Sequence, residues 1–244
     1  MNETRLRGNR PRRSGPYPLG QIPDGVLFEI AKQIVHRLAI GMSDITGDDF
    51  GTIFANAIEG DHRSSPLGIA DVGWDGCGWS VKTVKSTKPF DAKRLRLISG
   101  RNSPDYSHGI ADPHADIQAT GRAVLSIWNA RVNEALDEFD ELRIVTFIRN
   151  IDTREFVIFE EEAQRFIPDE YEWGHTSQGN LRGEDKLTGV HRFTWQFHGS
   201  QFTVLREVPV SSRRFAIAPH VPIVGVSTVL DAVRYTDDWV DIIR

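Results

Sequence analysis

Two side chains close together in one short stretch carry most of the chemistry this sequence offers. Residues 65–85, SPLGIADVGWDGCGWSVKTVK, hold Asp71 and, further on, Lys82. Leu67, Ile69 and Val72 precede an Asp-Gly/Cys-Gly turn, and Trp79, Val81 and Val84 follow it, which is the pattern of a tight hairpin. A strand period of two sends Ser80 and Lys82 to one face and Val81 to the core. Folding the arms together brings the Asp71 carboxylate towards the Lys82 ammonium. An acid and an amine held in this way are equipped to bind a cation and to hold or move a proton.

The arrangement resembles the PD-(D/E)XK nuclease superfamily, to which many type II restriction endonucleases belong. There a hairpin presents one Asp, then a second acid and a Lys two residues apart. Ala70 replaces the Pro of that pattern, and Ser80 replaces the second acid, which removes a metal ligand. The resemblance implies phosphodiester hydrolysis with Mg²⁺, which prefers oxygen ligands and keeps several waters. Asp71 would anchor the metal, and Lys82 would orient or deprotonate the attacking water. Members with Ser in the Ser80 position borrow a carboxylate from a helix. Glu59, at the end of the preceding helix, is the candidate for it, so Asp71 and Glu59 form the expected metal pair.

Composition sets the outer bounds. The 244 residues suffice for one sizeable core, and the one cysteine, Cys77, excludes internal disulfides and argues for a reducing compartment. No apolar run is long enough to span a membrane, so a cytoplasmic protein is expected. The net charge of −5 gives no support to polyanion binding, but the distribution does. Lys82, Lys85, Lys88, Lys93, Arg94, Arg96 and Arg101 stand against Asp91 alone, directly after the hairpin. No zinc spacing, phosphate-binding glycine loop or nucleophile elbow occurs.

Taken in order, residues 1–22 read as a flexible basic arm and 23–244 as a single domain, with a catalytic core over about 44–165. Helices are expected at 24–40 and about 48–58, the second capped by Thr46 or Asp48. Residues 94–99 alternate as a third strand. Residues 99–114 lack periodicity and read as a DNA-contacting loop carrying Arg101, Asn102, Ser103, Tyr106, Ser107 and His108. A long helix follows from Asp112-Pro113 to about 139, then strands at 142–148 and 156–159. Residues 167–188 read as loop, and 191–198 with 201–206 as a second hairpin, whose His198 and Gln201 could enter a major groove. Recognition elements are thus placed at about 99–114 and 167–206, with Lys85 as a further phosphate contact. A strand near 214–217 and a short helix near 227–235 end the chain.

The expected architecture is α/β: an α/β/α restriction-endonuclease-like core with a central mixed sheet and an added C-terminal β-hairpin. The expected function is sequence-specific cleavage of double-stranded DNA by a Mg²⁺-dependent homodimer, since cutting both strands of a palindrome takes two metal sites. A non-catalytic DNA-binding protein on a degenerate nuclease fold, and a repair or junction-resolving nuclease, are the alternatives.

Overall fold

The computed structural model describes residues 14–218 and 220–243, the side chains of 64–67 excepted. The chain is mixed α/β, with two sheets and, among the described residues, five helices. Two helices lead: α1 (Asp24–Ala39) and α2 (Gly47–Ala57). A capping box starts α2, where the Thr46 hydroxyl accepts from Asp49 N–H while the Asp49 carboxylate accepts from Thr46 N–H.

The first sheet has strand order β1-β2-β3-β5-β6-β11, with β1 (Asp61–Leu67), β2 (Ala70–Trp74), β3 (Cys77–Lys85), β5 (Glu141–Asn150), β6 (Glu155–Glu162) and β11 (Arg213–Ala216). β3 and β5 are parallel and every other pair in this sheet is antiparallel. The long crossover between β3 and β5 holds β4 (Arg94–Arg101), α3 (Pro104–His108) and α4 (Ile117–Glu138). The run Leu142 to Ile148 is buried throughout because α1 and α2 cover one face of β5, and α4 with Leu95 and Leu97 of β4 covers the other. On one face, Ile30, Ile34, Phe50 and Phe54 of α1 and α2 pack on Trp79, Val145 and Phe147. On the other, Val124, Trp128 and Val132 of α4 pack between Ile69, Leu142 and Ile144 and the second sheet.

That second sheet is antiparallel, in the order β4-β10-β9-β8-β7, and adds β7 (Tyr171–His175), β8 (Leu181–Asp185), β9 (His191–Gln196) and β10 (Gln201–Glu207). α5 (Val226–Ala232) lies near the C-terminus. No helix among the described residues is long and apolar enough to cross a membrane.

Three expectations are corrected. The strand at 94–101 does not extend the hairpin's sheet; it joins β10, and β1 takes the place beside β2. Residues 167–188 are not loop throughout but contain β7 and β8, five-residue strands whose burial rests mainly on Trp173, Leu181 and Gly183. The arm at 1–22 is docked from Ser14 onward, with Tyr17 and Ile22 buried; residues 1–13 lie outside the described residues.

The dock is a buried polar cluster. Glu160 accepts from Tyr17 Oη at 2.8 Å and Trp79 Nε1 at 2.7 Å, and it pairs with Arg143 at 3.2 Å. Arg143 also donates to the Tyr17 carbonyl and lies over the Tyr17 and Trp79 rings. Desolvation raises the Glu160 carboxyl above its usual range, while these donors oppose it.

Candidate functional site

The β2–β3 hairpin turns at Asp75-Gly76, both at positive φ (34° and 90°), the conformation a tight twisted turn requires. Its register pairs Gly73 with Gly78 and Val72 with Trp79, so the next step sets Asp71 opposite Ser80. Asp71 Oδ2 accepts the Val81 backbone N–H at 2.7 Å and faces the Ser80 hydroxyl at 3.5 Å. Ser80 is fully buried, and Lys82 lies one side-chain step further along the same face.

β2 begins at Ala70, so among the described residues the edge of β3 beyond Val81 has no strand partner on that side. This opens a notch towards β4. A cavity of about 420 Å³ lies there, lined by Lys82, Lys85 and Arg96, with Gly47 at the start of α2. Burial lowers the affinity of Lys82 for its proton; Asp71 opposes this and Arg131 adds to it. Among the described residues no direct ion pair joins Lys82 to Asp71. A desolvated lysine under the influence of a nearby carboxylate makes this cleft a candidate site.

Arg131 is the residue the sequence reading passed over, as one arginine on a helix. It projects from α4 and donates to the Ser99 carbonyl at 3.0 Å and the Gly68 carbonyl at 3.3 Å, tying the helix to β4 and to the entry of β2. Desolvation lowers its pKa and Asp71 raises it. Gly68 sits at φ +59°, and a Cβ there would lie 2.1 Å from the Arg131 carbonyl, so only glycine permits this approach. The signal was present in the sequence as a cation set between Trp128, Val132 and Ala135, all buried.

The other expected site residues divide. Glu59 is exposed, at φ +56° just past α2, and precedes the Asp61↔Gly73 pairing, which puts it level with the turn end of β2. Asp71 lies at the opposite end of that strand, so the two carboxylates are not brought together. Among the described residues no three His, Cys, Asp or Glu side chains stand as a metal-holding group. Beside the cavity, though not lining it, stands one carboxylate, Asp71, whose Oδ1 makes no hydrogen bond among the described residues, with the buried Ser80 hydroxyl against its Oδ2. Such a set fits Mg²⁺ only as an ion that shares the oxygens of a substrate phosphate, which is how Mg²⁺ is commonly held.

Asn102 is removed from the list of reading residues. It is fully buried, its amide donating to the Val124 carbonyl at 2.8 Å while its own carbonyl accepts from Trp195 Nε1. Ser103 precedes the short helix α3, which with the end of β4 replaces much of the expected loop. Tyr106 and His108 on α3 are exposed, Tyr106 at 93%. Arg101 is exposed opposite Gln201, two residues along β4 from the Ser99 that Arg131 touches. His198 is exposed in the β9–β10 turn beside Phe197, whose ring meets His114. Lys85 is exposed but pairs with Asp44 at 2.8 Å, which also takes two hydrogen bonds from Arg149. Compared with protein-family models, with curated proteins and with solved structures, the chain gives no match.

Proposed function

We propose that this chain is a Mg²⁺-dependent endonuclease of the type II restriction class, hydrolysing phosphodiester bonds in double-stranded DNA at the Asp71–Lys82 notch. The observation that carries the reading is the hairpin itself: Asp71 opposite Ser80, with a desolvated Lys82 beside them on the same face. The order α2, β1, β2, β3, α4, β5, with β3 and β5 parallel, agrees with a PD-(D/E)XK-like core and supports it. A bound metal would supply charge neutralisation at the phosphate, held by Asp71 and the substrate's own oxygens.

The chain's own groups supply the rest. Burial loosens the hold of Lys82 on its proton, which suits it to orient a water aimed at phosphorus and to take part in moving that water's proton. Arg131, fixed through two backbone carbonyls and coupled electrostatically to Asp71 and Lys82, would add positive charge to stabilise a phosphorane-like transition state there. Arg96 adds positive charge along the cleft, and Arg101 with α3 would form the reading surface next to it. Cutting both strands requires two copies related by a two-fold axis.

A second reading is favoured by one observation. The position of the second acid is a buried Ser80, and Asp71 is in part engaged by the hairpin backbone. That would suit a DNA-binding protein that no longer cuts. Incubating plasmid or phage DNA with the protein and Mg²⁺, beside the Asp71→Ala variant, separates the readings. Discrete fragments from wild type only support the nuclease. Binding without cutting across Mg²⁺ and Mn²⁺ refutes it, and nicking confined to branched substrates points to a junction-resolving enzyme.

A further inference from the structure

Beyond β11 the chain leaves the body. Among the described residues from 220 onward, one backbone hydrogen bond returns to it, from Val224 N–H to the Ala39 carbonyl at 2.7 Å. After that point no apolar side chain is buried. Val226, Val229, Leu230, Val233, Trp239 and Ile242 are all exposed, Val226 at 75% and Ile242 at 79%. α5 has seven residues, three of them β-branched (Val226, Thr228 and Val229), and buries none. A helix so short and so rich in β-branched residues does not hold in water by propensity alone; packing must come from outside it.

We propose that residues 224–243 are an exchange arm that docks on α1 of a second copy of this chain. The receiving surface lies on α1. Phe28, Lys32, His36 and Ile40 recur every four residues along α1 and its C-terminal residue, and all are exposed, Phe28 at 68% and Ile40 at 46%. The stripe is apolar at both ends and basic between. The arm is its complement, interleaving its apolar side chains with Asp231, Asp237, Asp238 and Asp241 against Arg234 alone. Glu29 already pairs with Lys32 on this side, so docking exchanges one acid for another at that lysine.

Geometry favours a second copy over the same chain. The arm's root touches α1 at Ala39, yet the arm then departs and leaves its own Phe28 and Ile40 uncovered. Root and receiving stripe adjoin, so two copies can trade arms about a two-fold axis with both roots near it, a self-complementary contact. The inference does not depend on whether the chain cuts DNA, since none of these residues lines the Asp71–Lys82 notch.

Sedimentation velocity of the full chain over about 1–50 µM tests it, beside the double variant Leu230→Asp/Val233→Asp on the arm and Phe28→Asp on the stripe. All three positions are exposed, so folding of the body is preserved and is checked by circular dichroism. Expected is a wild-type species of twice the 27.5 kDa chain mass, weakened at least about tenfold in Kd by each variant. A wild-type monomer throughout, or a dimer that either variant leaves intact, overturns the proposal.

Discussion

Replacing Lys82 with Met separates a lysine buried for function from one placed for stability. The Lys82 amine is desolvated, repelled by Arg131 and attracted by Asp71 without a direct ion pair, so its charge is a net burden on the fold. In the folded chain its pKa is lowered from the ordinary 10.5, and the unfolded chain holds that proton more tightly. Stability therefore rises with pH between the depressed folded value and 10.5, and the penalty is fully present below that window. Exchanging a buried charge for an apolar side chain of similar volume stabilises proteins by about 1–4 kcal/mol. Partial exposure and the attraction of Asp71 put Lys82→Met at the low end, about 1 kcal/mol at pH 7, or about 2–4 °C in Tm. Urea unfolding of both proteins at pH 7 and pH 10.5 reads this directly, with the gain shrinking at the higher pH. Cleavage by the same variant should fall by about 10²–10⁴-fold, the usual contribution of a proton-transfer group. A destabilised variant, or a gain identical at both pH values, refutes the assignment of Lys82 as a desolvated amine.

Other perturbations test the frame around the notch. Glu160→Leu removes one of the two carboxylates paired with the buried Arg143, leaving Glu141 at 2.7 Å, and should cost about 1–3 kcal/mol by urea unfolding, also releasing the segment around Tyr17 to protease. Asp44→Asn should cost about 1 kcal/mol at pH 7, because Arg149 and then Lys85 hold the Asp44 carboxyl below its ordinary 3.8. That contribution is present above pH 3.8 and is lost as pH falls through the lower folded value, so the two proteins converge in acid. Glu59→Gln should cut DNA at the wild-type rate with an unchanged Mg²⁺ requirement, since Glu59 stands at the turn end of β2; a raised requirement would return it to the site.

What was legible in the sequence was local. The Asp75-Gly76 turn and strand period two are properties of adjacent residues, so the Asp71, Ser80 and Lys82 side of the hairpin could be read without the fold. Helices α1, α2 and α4 followed from apolar spacing in the same way, although α4 starts at an Asp116 cap rather than at Asp112. Alternation says which face of a strand is buried but not which sheet receives it. Leu95 and Leu97 are inward as expected, yet their strand pairs with β10, more than a hundred residues downstream. Polarity misled at Asn102 for a related reason: its side-chain NH₂ donates to the Val124 carbonyl and its backbone carbonyl accepts from Trp195, burying the side chain through contacts that exist only after α4 and β9 have assembled. Arg131 and the Arg143–Glu160 pair carry the same lesson for charge. Each reads as a surface residue until register and crossover bring a carbonyl, a carboxylate or an indole to meet it. Sequence therefore named the acid and the lysine that face one another. It took the β3–β5 crossover to bring Arg131 into the electrostatic surroundings of both and to set Arg96 beside Lys82, the two features on which the proposed site rests.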